Sequence, residues 1–295
     1  MQTPEELKRK IETAGDLQSV VKTMKALAAV SIHQYEKAVQ SLREYNRTVE
    51  MGIQVLLRQE TDAAGNLKDL ESGSLAAIVF GSDQGMCGSL NDEIVRYAMD
   101  FFHKRQVAGD ARALIAVGHR TAARLEDAGQ NVEEIFSVPG SASGIIPRVQ
   151  EFLMVLENWH SQRGIGRVEL FYCRHLSGAS YEPYRLKMLP IDREWLHRVR
   201  AREWPGRALP IFTMPREQLF SRLVRQFLFV SLYQAFAESL ASENASRLAS
   251  MQGAEKNLEE RLAELNSHFH RRRQMAITEE LLDIVSGYEA LNPHE

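Results

Sequence analysis

From Pro4 to Arg58 the chain places an apolar residue at every seventh position: Leu7, Ala14, Val21, Ala28, Tyr35, Leu42, Val49 and Leu56. A second apolar position follows at +3 or +4, at Ile11, Leu17, Met24, Ile32, Val39, Tyr45 and Ile53. An unbroken heptad beat predicts a helix with a coiled-coil seam. The C-terminal segment carries its own stripe, Met251, Ala254, Leu258, Leu262, Leu265, Phe269 and Ala276. Upstream, Leu219, Leu223, Phe227, Val230, Phe236 and Leu240 form a broader apolar face, suited to a helix root packed on several neighbours. Breakers are scarce at both ends. After Pro4 no proline occurs until Pro139, and between Pro215 and Pro293 the only glycines are Gly253 and Gly287. At 1.5 Å per residue the first helix would run ~75–80 Å and the last ~100 Å. A compact chain of this length has a radius of gyration of about 19 Å. Helices of that length project, most simply as an antiparallel pair; shorter, kinked helices are the alternative.

The middle region has a different beat. Ser74 to Gly81, Ala113 to Gly118, Val132 to Val138 and Val168 to Arg174 are short apolar runs suited to strands. They alternate with helical stretches at Asn91–Lys104, His119–Ala128 and Ile145–His160. That order predicts a mainly parallel sheet with crossover helices, to which Tyr184–Ile191 adds a last strand. Asp62–Ser74 reads as a linker and Asp192–Met214 as a connector. The expected class is α/β plus long helices, divided as 1–60 (first helix), 61–215 (α/β domain and connector) and 216–291 (last helix).

Composition sets the remaining bounds. Of 295 residues, 44 % are hydrophobic and 25 % charged, the balance of a folded soluble protein rather than a disordered one. Thirty-six basic against 39 acidic residues leave a net charge of −3, which excludes a global attraction to nucleic acid. The two cysteines, Cys87 and Cys173, suit a reducing compartment. No apolar run approaches the ~20 residues of a membrane span, and the charged N-terminus lacks a secretory h-region. A chain of the cytosol is expected.

Candidate chemistry is sparse. The stretch GSDQGMCGSLN (Gly81–Asn91) follows a strand and opens a helix, where α/β folds bind phosphates, but it matches neither G-x-G-x-x-G nor a P-loop. Asn91 with Asp92 and Glu93 reads as an N-cap with acids in the first turn. Asp83 is a catalytic carboxylate or a turn residue, and Cys87 a nucleophile or a small buried side chain. His268 and His270, two apart on a helix, point in different directions and cannot readily share a metal. Arg271–Arg273 is a solvated face or a contact for an acidic partner. No cofactor or metal is expected.

The end of the chain carries AESLASENASR (237–247) and RRQMAITEELLDIVSG (272–287). Together with GSDQGMCGSLN and, more loosely, LKRKIETAGDLQSVVKTMKALAA (7–29), these pieces resemble the gamma subunit family of F-type ATP synthases. The resemblance implies an antiparallel coiled coil of the terminal helices with an inserted Rossmann-like α/β domain. It implies a non-catalytic central-stalk rotor that turns inside a ring of alpha and beta subunits. The epsilon subunit and the membrane c-ring would sit at its foot, on the cytoplasmic face of a bacterial inner membrane, with no insertion of its own into the bilayer. On the matched positions, Arg273, Gln274 and Thr278 would touch a loop of beta, and Glu280, Arg247 and Met24 would be further contacts. Lys22 and Lys25 would face an acidic lever of beta. Gln84 and Ser89 replace the family's usual Arg and Gly, and the tryptophan-bearing connector is unusual, features of a divergent, alternate bacterial branch. The competing reading is a nucleotide-binding enzyme whose helices dimerise.

Overall fold

The computed structural model describes residues 3–58, 74–106, 112–208 and 210–291. The expected linker lies, through residue 73, outside the described residues, as does Pro293. The described chain runs α1 (Pro4–Arg58), β1 (Leu75–Phe80), α2 (Leu90–Lys104), β2 (Arg112–Val117), α3 (His119–Asp127) and β3 (Glu134–Phe136). It continues through α4 (Ile145–Arg163), β4 (Arg167–Ser177), β5 (Ser180–Leu189), α5 (Arg193–Ala201) and α6 (Arg216–Leu291). α1 is 55 residues long and α6 is 76, both unbroken. The contacts divide the chain into two compact units: α1 up to Leu27 with α6 from Ala249, and Ala28–Leu248.

The larger unit is built on one sheet in the order β3-β2-β1-β4-β5, parallel except for β5. β1 is central and buried throughout, so its alternate side chains feed two separate cores. Ala76, Ile78 and Phe80 pack with Val149, Phe152 and Leu156 of α4 and with Leu232, Phe236 and Leu240 of α6. Leu75, Ala77 and Val79 face Leu90, Ile94 and Phe102 of α2 and Leu125 of α3. The root of α6 is thus one of the layer helices of the α/β domain. Phe80 meets Phe236 edge to face with ring centroids 4.9 Å apart.

Two elements exceed the expectation. β4 and β5 extend into a hairpin through Ser177 and Ser180, past the apolar runs that predicted them. The extension pairs His175 with Tyr181 and Ser177 with Ser180, next to the ladder partners Arg174 and Glu182, which also form an ion pair. The connector contains α5, where Asp192 caps the helix by accepting from the Glu194 N–H at 3.1 Å. Its Leu196 and Val199 close a third apolar cluster with Val49, Ile53 and Leu57 of α1, while Trp195 lies 4.7 Å from the Phe227 ring of α6. The Gln54 amide donates to the Arg202 carbonyl, tying the exit of α5 to α1.

The seam of α1 needs one correction. All eight seventh-position residues are buried or half-buried, but Leu17 and Tyr45 are 52 % and 44 % exposed. The inward second row is a strict +4 series, Ile11, Gln18, Lys25, Ile32, Val39, Asn46 and Ile53. Its polar members are partnered. Gln18 donates to Glu259 at 3.5 Å, Lys25 pairs with Glu255, and Asn46 donates to Glu50 at 3.2 Å. In the smaller unit α1 meets α6 antiparallel, since Leu7 clusters with Leu265 while Gln18 and Lys25 reach back to Glu259 and Glu255. A polar residue in a seam fixes register at a cost in stability. Gln18→Leu should therefore raise the unfolding free energy of the chain by about 1 kcal/mol. A lower denaturation midpoint for that variant would contradict the seam assignment.

Candidate functional site

The glycine-rich loop between β1 and α2 is filled by the chain itself. Asn91, expected as the cap of α2, lies inside that helix and is buried; Ser89 holds the cap position. The reason is a better use for its amide. Asn91 Oδ1 accepts from the Ser82 N–H and the Thr121 hydroxyl, both at 3.0 Å, and Nδ2 donates to Ser82 Oγ at 2.8 Å. Gly81 leaves room for this hub, since a Cβ there would stand 1.9 Å from Thr121 Oγ1. Asp83 is a junction residue, its carboxylate accepting from the His119 N–H at 2.9 Å and the Val138 N–H at 2.8 Å. Gly118, at φ +103°, makes the tight approach of that junction possible. The Ser82 N–H and the Asp83 carboxylate are thus engaged within the protein, the first by Asn91 and the second by two backbone N–H groups. Cys87 is 2 % exposed beside Ser82 Oγ at 3.3 Å, packed as a small core residue.

The AESLASENASR stretch explains how α6 approaches this loop. Ala237, Ala241 and Ala245 are fully or almost fully buried, and their small size brings the helix backbone close to the sheet. Ser242 Oγ donates to the Cys173 carbonyl at 2.7 Å and Ser246 Oγ to the Cys87 carbonyl at 2.5 Å. On the same stretch Glu243 and Arg247 form an ion pair at 2.6 Å with side chains 8 % and 12 % exposed. Glu243 Oε2 and Arg247 Nε have no hydrogen-bond partner among the described residues. Burial pushes the Glu243 carboxyl up and Arg247 draws it back. Burial also raises the Tyr35 hydroxyl of α1, with Glu243 adding to the shift. Glu238 is a second buried carboxylate, raised chiefly by burial and eased by Gln234, Tyr172, Arg174 and Arg43.

The other residues singled out from the sequence lie on the surface. Arg273, Gln274, Thr278 and Glu280 of α6 are exposed, and the Thr278 hydroxyl donates to the Gln274 carbonyl at 2.9 Å. On α1, Lys22 is exposed, Met24 half-buried, and Lys25 engaged with Glu255. The structure thus gathers Arg273, Gln274, Thr278 and Glu280 on one short stretch and gives Arg247 and Lys25 partners within the chain. Beyond the stripe that ends at Ala276, a further row was missed. Ile277, Leu281, Ile284 and Tyr288 share a helix face and are 47–68 % exposed, flanked by Leu282 and Val285. Their i, i+4, i+7, i+11 spacing was the available signal. Among the described residues no group of three or more His, Cys, Asp or Glu is placed to hold a metal, and no helix is long and apolar enough to cross a membrane.

Two variants test the buried charges. Arg247→Ala leaves Glu243 uncompensated and should cost about 3–5 kcal/mol of unfolding free energy; a loss below 1 kcal/mol would show the pair to be solvated. Glu238 has a raised folded-state pKa, so its ionisation weakens the fold increasingly as pH rises above the usual carboxylate range. Glu238→Gln should thus stabilise the chain near pH 8, with the gain disappearing toward pH 4. A gain that grows on acidification would reverse this assignment.

The family model described as ATP synthase matches residues 3–291. The ATP synthase gamma chain of Pelagibacter ubique is 26 % identical over 99 % of this chain and all of its own length. That of Nitrosospira multiformis is 25 % identical over 97 % of this chain and 98 % of its own. Among solved structures, a chain of the Euglena gracilis mitochondrial ATP synthase (OSCP/F1/c-ring) has a TM-score of 0.63 at 16 % identity, covering 98 % of this chain and 94 % of that one. A chain of the Tetrahymena thermophila central stalk/c-ring has a TM-score of 0.56 at 21 % identity, covering 80 % of this chain and 99 % of that one. With two unbroken terminal helices, an inserted α/β sheet and a family match from residue 3 to residue 291, the chain belongs to the ATP synthase family.

Proposed function

We propose that this chain is the gamma-type rotor of the central stalk, a non-catalytic subunit that couples ion flow through a membrane ring to ATP synthesis or hydrolysis in a surrounding alpha/beta ring. One observation carries the mechanism: the exposed apolar row of Ile277, Leu281, Ile284 and Tyr288 lies on an unbroken 76-residue helix. Such a row would be a liability on a free surface. Inside an apolar sleeve it is a bearing, because contacts without directional hydrogen bonds hold no single angle. Torque needs the opposite property, a few directional contacts that engage at particular angles.

Arg273, Gln274, Thr278 and Glu280 supply these beside the bearing row, and Met24, Lys22 and Lys25 supply them on α1. Lys25 reaches beta by leaving Glu255, and Arg247 acts only to the extent that Glu243 releases it. The proposed partners are the alpha and beta subunits, an epsilon subunit and the c-ring, with no cofactor held by this chain. It would lie at the cytoplasmic face of a bacterial inner membrane, as a peripheral component of the complex. The first helix (1–60) and the last (216–291) would form the shaft, with 61–215 as the foot.

Co-expression with the organism's alpha and beta subunits tests the assignment. The chain should co-purify at about one copy per three beta subunits, the ratio a single rotor in a three-fold ring requires, and ATPase activity should depend on it. Failure to associate would overturn the assignment. Replacing Arg273 and Gln274 together by Ala should weaken coupled turnover about tenfold, the equivalent of ~1.4 kcal/mol of charge-assisted hydrogen bonding. The free chain should unfold at an unchanged midpoint. Unaltered coupling would remove these two residues from the beta contact.

A further inference from the structure

A cleft of about 540 Å³ opens in the larger unit where the β4–β5 hairpin meets α1 and α6. At its rim sits His175, near the end of β4, with a side chain only 7 % exposed. Its Nε2 lies 3.0 Å from the Gly178 carbonyl, and its Nδ1 lies 3.4 Å from Glu36 Oε1 of α1. Both of those oxygens can only accept while Glu36 is ionised. A neutral imidazole has one N–H and satisfies one of them, leaving a bare lone pair against the other. Satisfying both requires one more proton on the pair, carried as imidazolium or shared with the carboxylate.

The surrounding charges are few and placed on every wall. α1 contributes His33, 3.8 Å from Glu36, and Arg43. β4 contributes Arg174, which is occupied by Glu182 of β5. β5 also contributes Tyr181, the ladder partner of His175, and Tyr184, whose ring lies under Arg174 at 4.5 Å. From α6 comes Glu238, with Tyr172 of β4 and Gln234 beside it. Glu36 is the carboxylate in contact with His175, and half of its side chain is open to solvent, so protons exchange freely with the bulk.

We propose that this cleft is a proton-responsive joint: a proton on the His175–Glu36 pair ties the β4–β5 hairpin to α1, and its departure unties it. The tie is made while the pair holds that proton and lost when it leaves, so acid strengthens it and alkali weakens it. On the α6 wall, burial disfavours the ionised form of Glu238 while Arg174 of β4 and Arg43 of α1 favour it. Acidification therefore firms the hairpin against α1. This inference stands on the contacts of His175 and does not depend on the rotor assignment.

Hydrogen exchange of the full chain tests it, with rates corrected for intrinsic pH dependence. Protection of hairpin amides between residues 174 and 182 should fall about threefold or more from pH 6 to pH 8.5, the scale of a half-exposed charged hydrogen bond. His175→Gln keeps an amide for the Gly178 carbonyl but cannot carry the positive charge that pairs with Glu36, so protection should be low at both pH values. Glu36→Gln supplies a donor to the neutral imidazole and should keep protection high at both. Should His175→Gln unfold, the Glu36→Gln result still decides, because no structural role of the carboxylate predicts a gain at high pH. The same pH profile in wild type and in Glu36→Gln would overturn the proposal, as would a wild-type profile without pH dependence.

Discussion

Everything in the larger unit depends on one close approach, that of the α6 backbone to the parallel sheet. It is made by residues too small to hold the helix away, Ala237, Ala241 and Ala245, with Ser242 and Ser246 donating to carbonyls of β4 and of the glycine-rich loop. Larger residues at those positions would have to force the helix outward and break both serine bonds. The apolar residues between them, Leu232, Phe236 and Leu240, then reach the sheet face that β1 and α4 present. Each such side chain contributes roughly 1.5–3 kcal/mol when fully buried. The approach also explains why Glu243 and Arg247 are paired: they are carried inward by the same helix and have little solvent to turn to.

The glycine-rich loop is a consequence of this approach rather than a separate device. Its carbonyl at Cys87 receives Ser246, its Ser82 is fixed by Asn91, and its Asp83 fastens the start of α3 and the strand exit at Val138. A loop in that place in other α/β proteins is free to bind a phosphate. Here the same geometry joins four elements through Ser246, Asn91 and Asp83.

Much of this organisation was legible in the residues. The four strand runs, three crossover helices and two long helices follow from period and breaker placement, because those depend on local pattern. What escaped is polar or tertiary in origin. Gln18, Lys25 and Asn46 hold seam positions that a hydrophobicity count assigns to their apolar neighbours, since such a count cannot see that Glu259, Glu255 and Glu50 await them. Asn91 has the composition of a cap, and only the approach of Ser82 and Thr121 makes it a buried hub. α5 was legible in principle from Asp192 and Glu194, but the prolines and glycine that follow outweighed them. The proposed contacts with beta rest on resemblance alone, because an exposed arginine or threonine on a helix carries no local mark of its partner.

Because α6 walls one face of the sheet and continues well past it, the α/β domain is not a transposable module. A gene segment encoding only residues 74–208 would express a sheet with the Ile78 and Phe80 face uncovered by Leu232, Phe236 and Leu240. Such a fragment would be exposed to aggregation rather than to selection for a new role. The folding of this domain therefore depends on the root of α6 being present in the same chain.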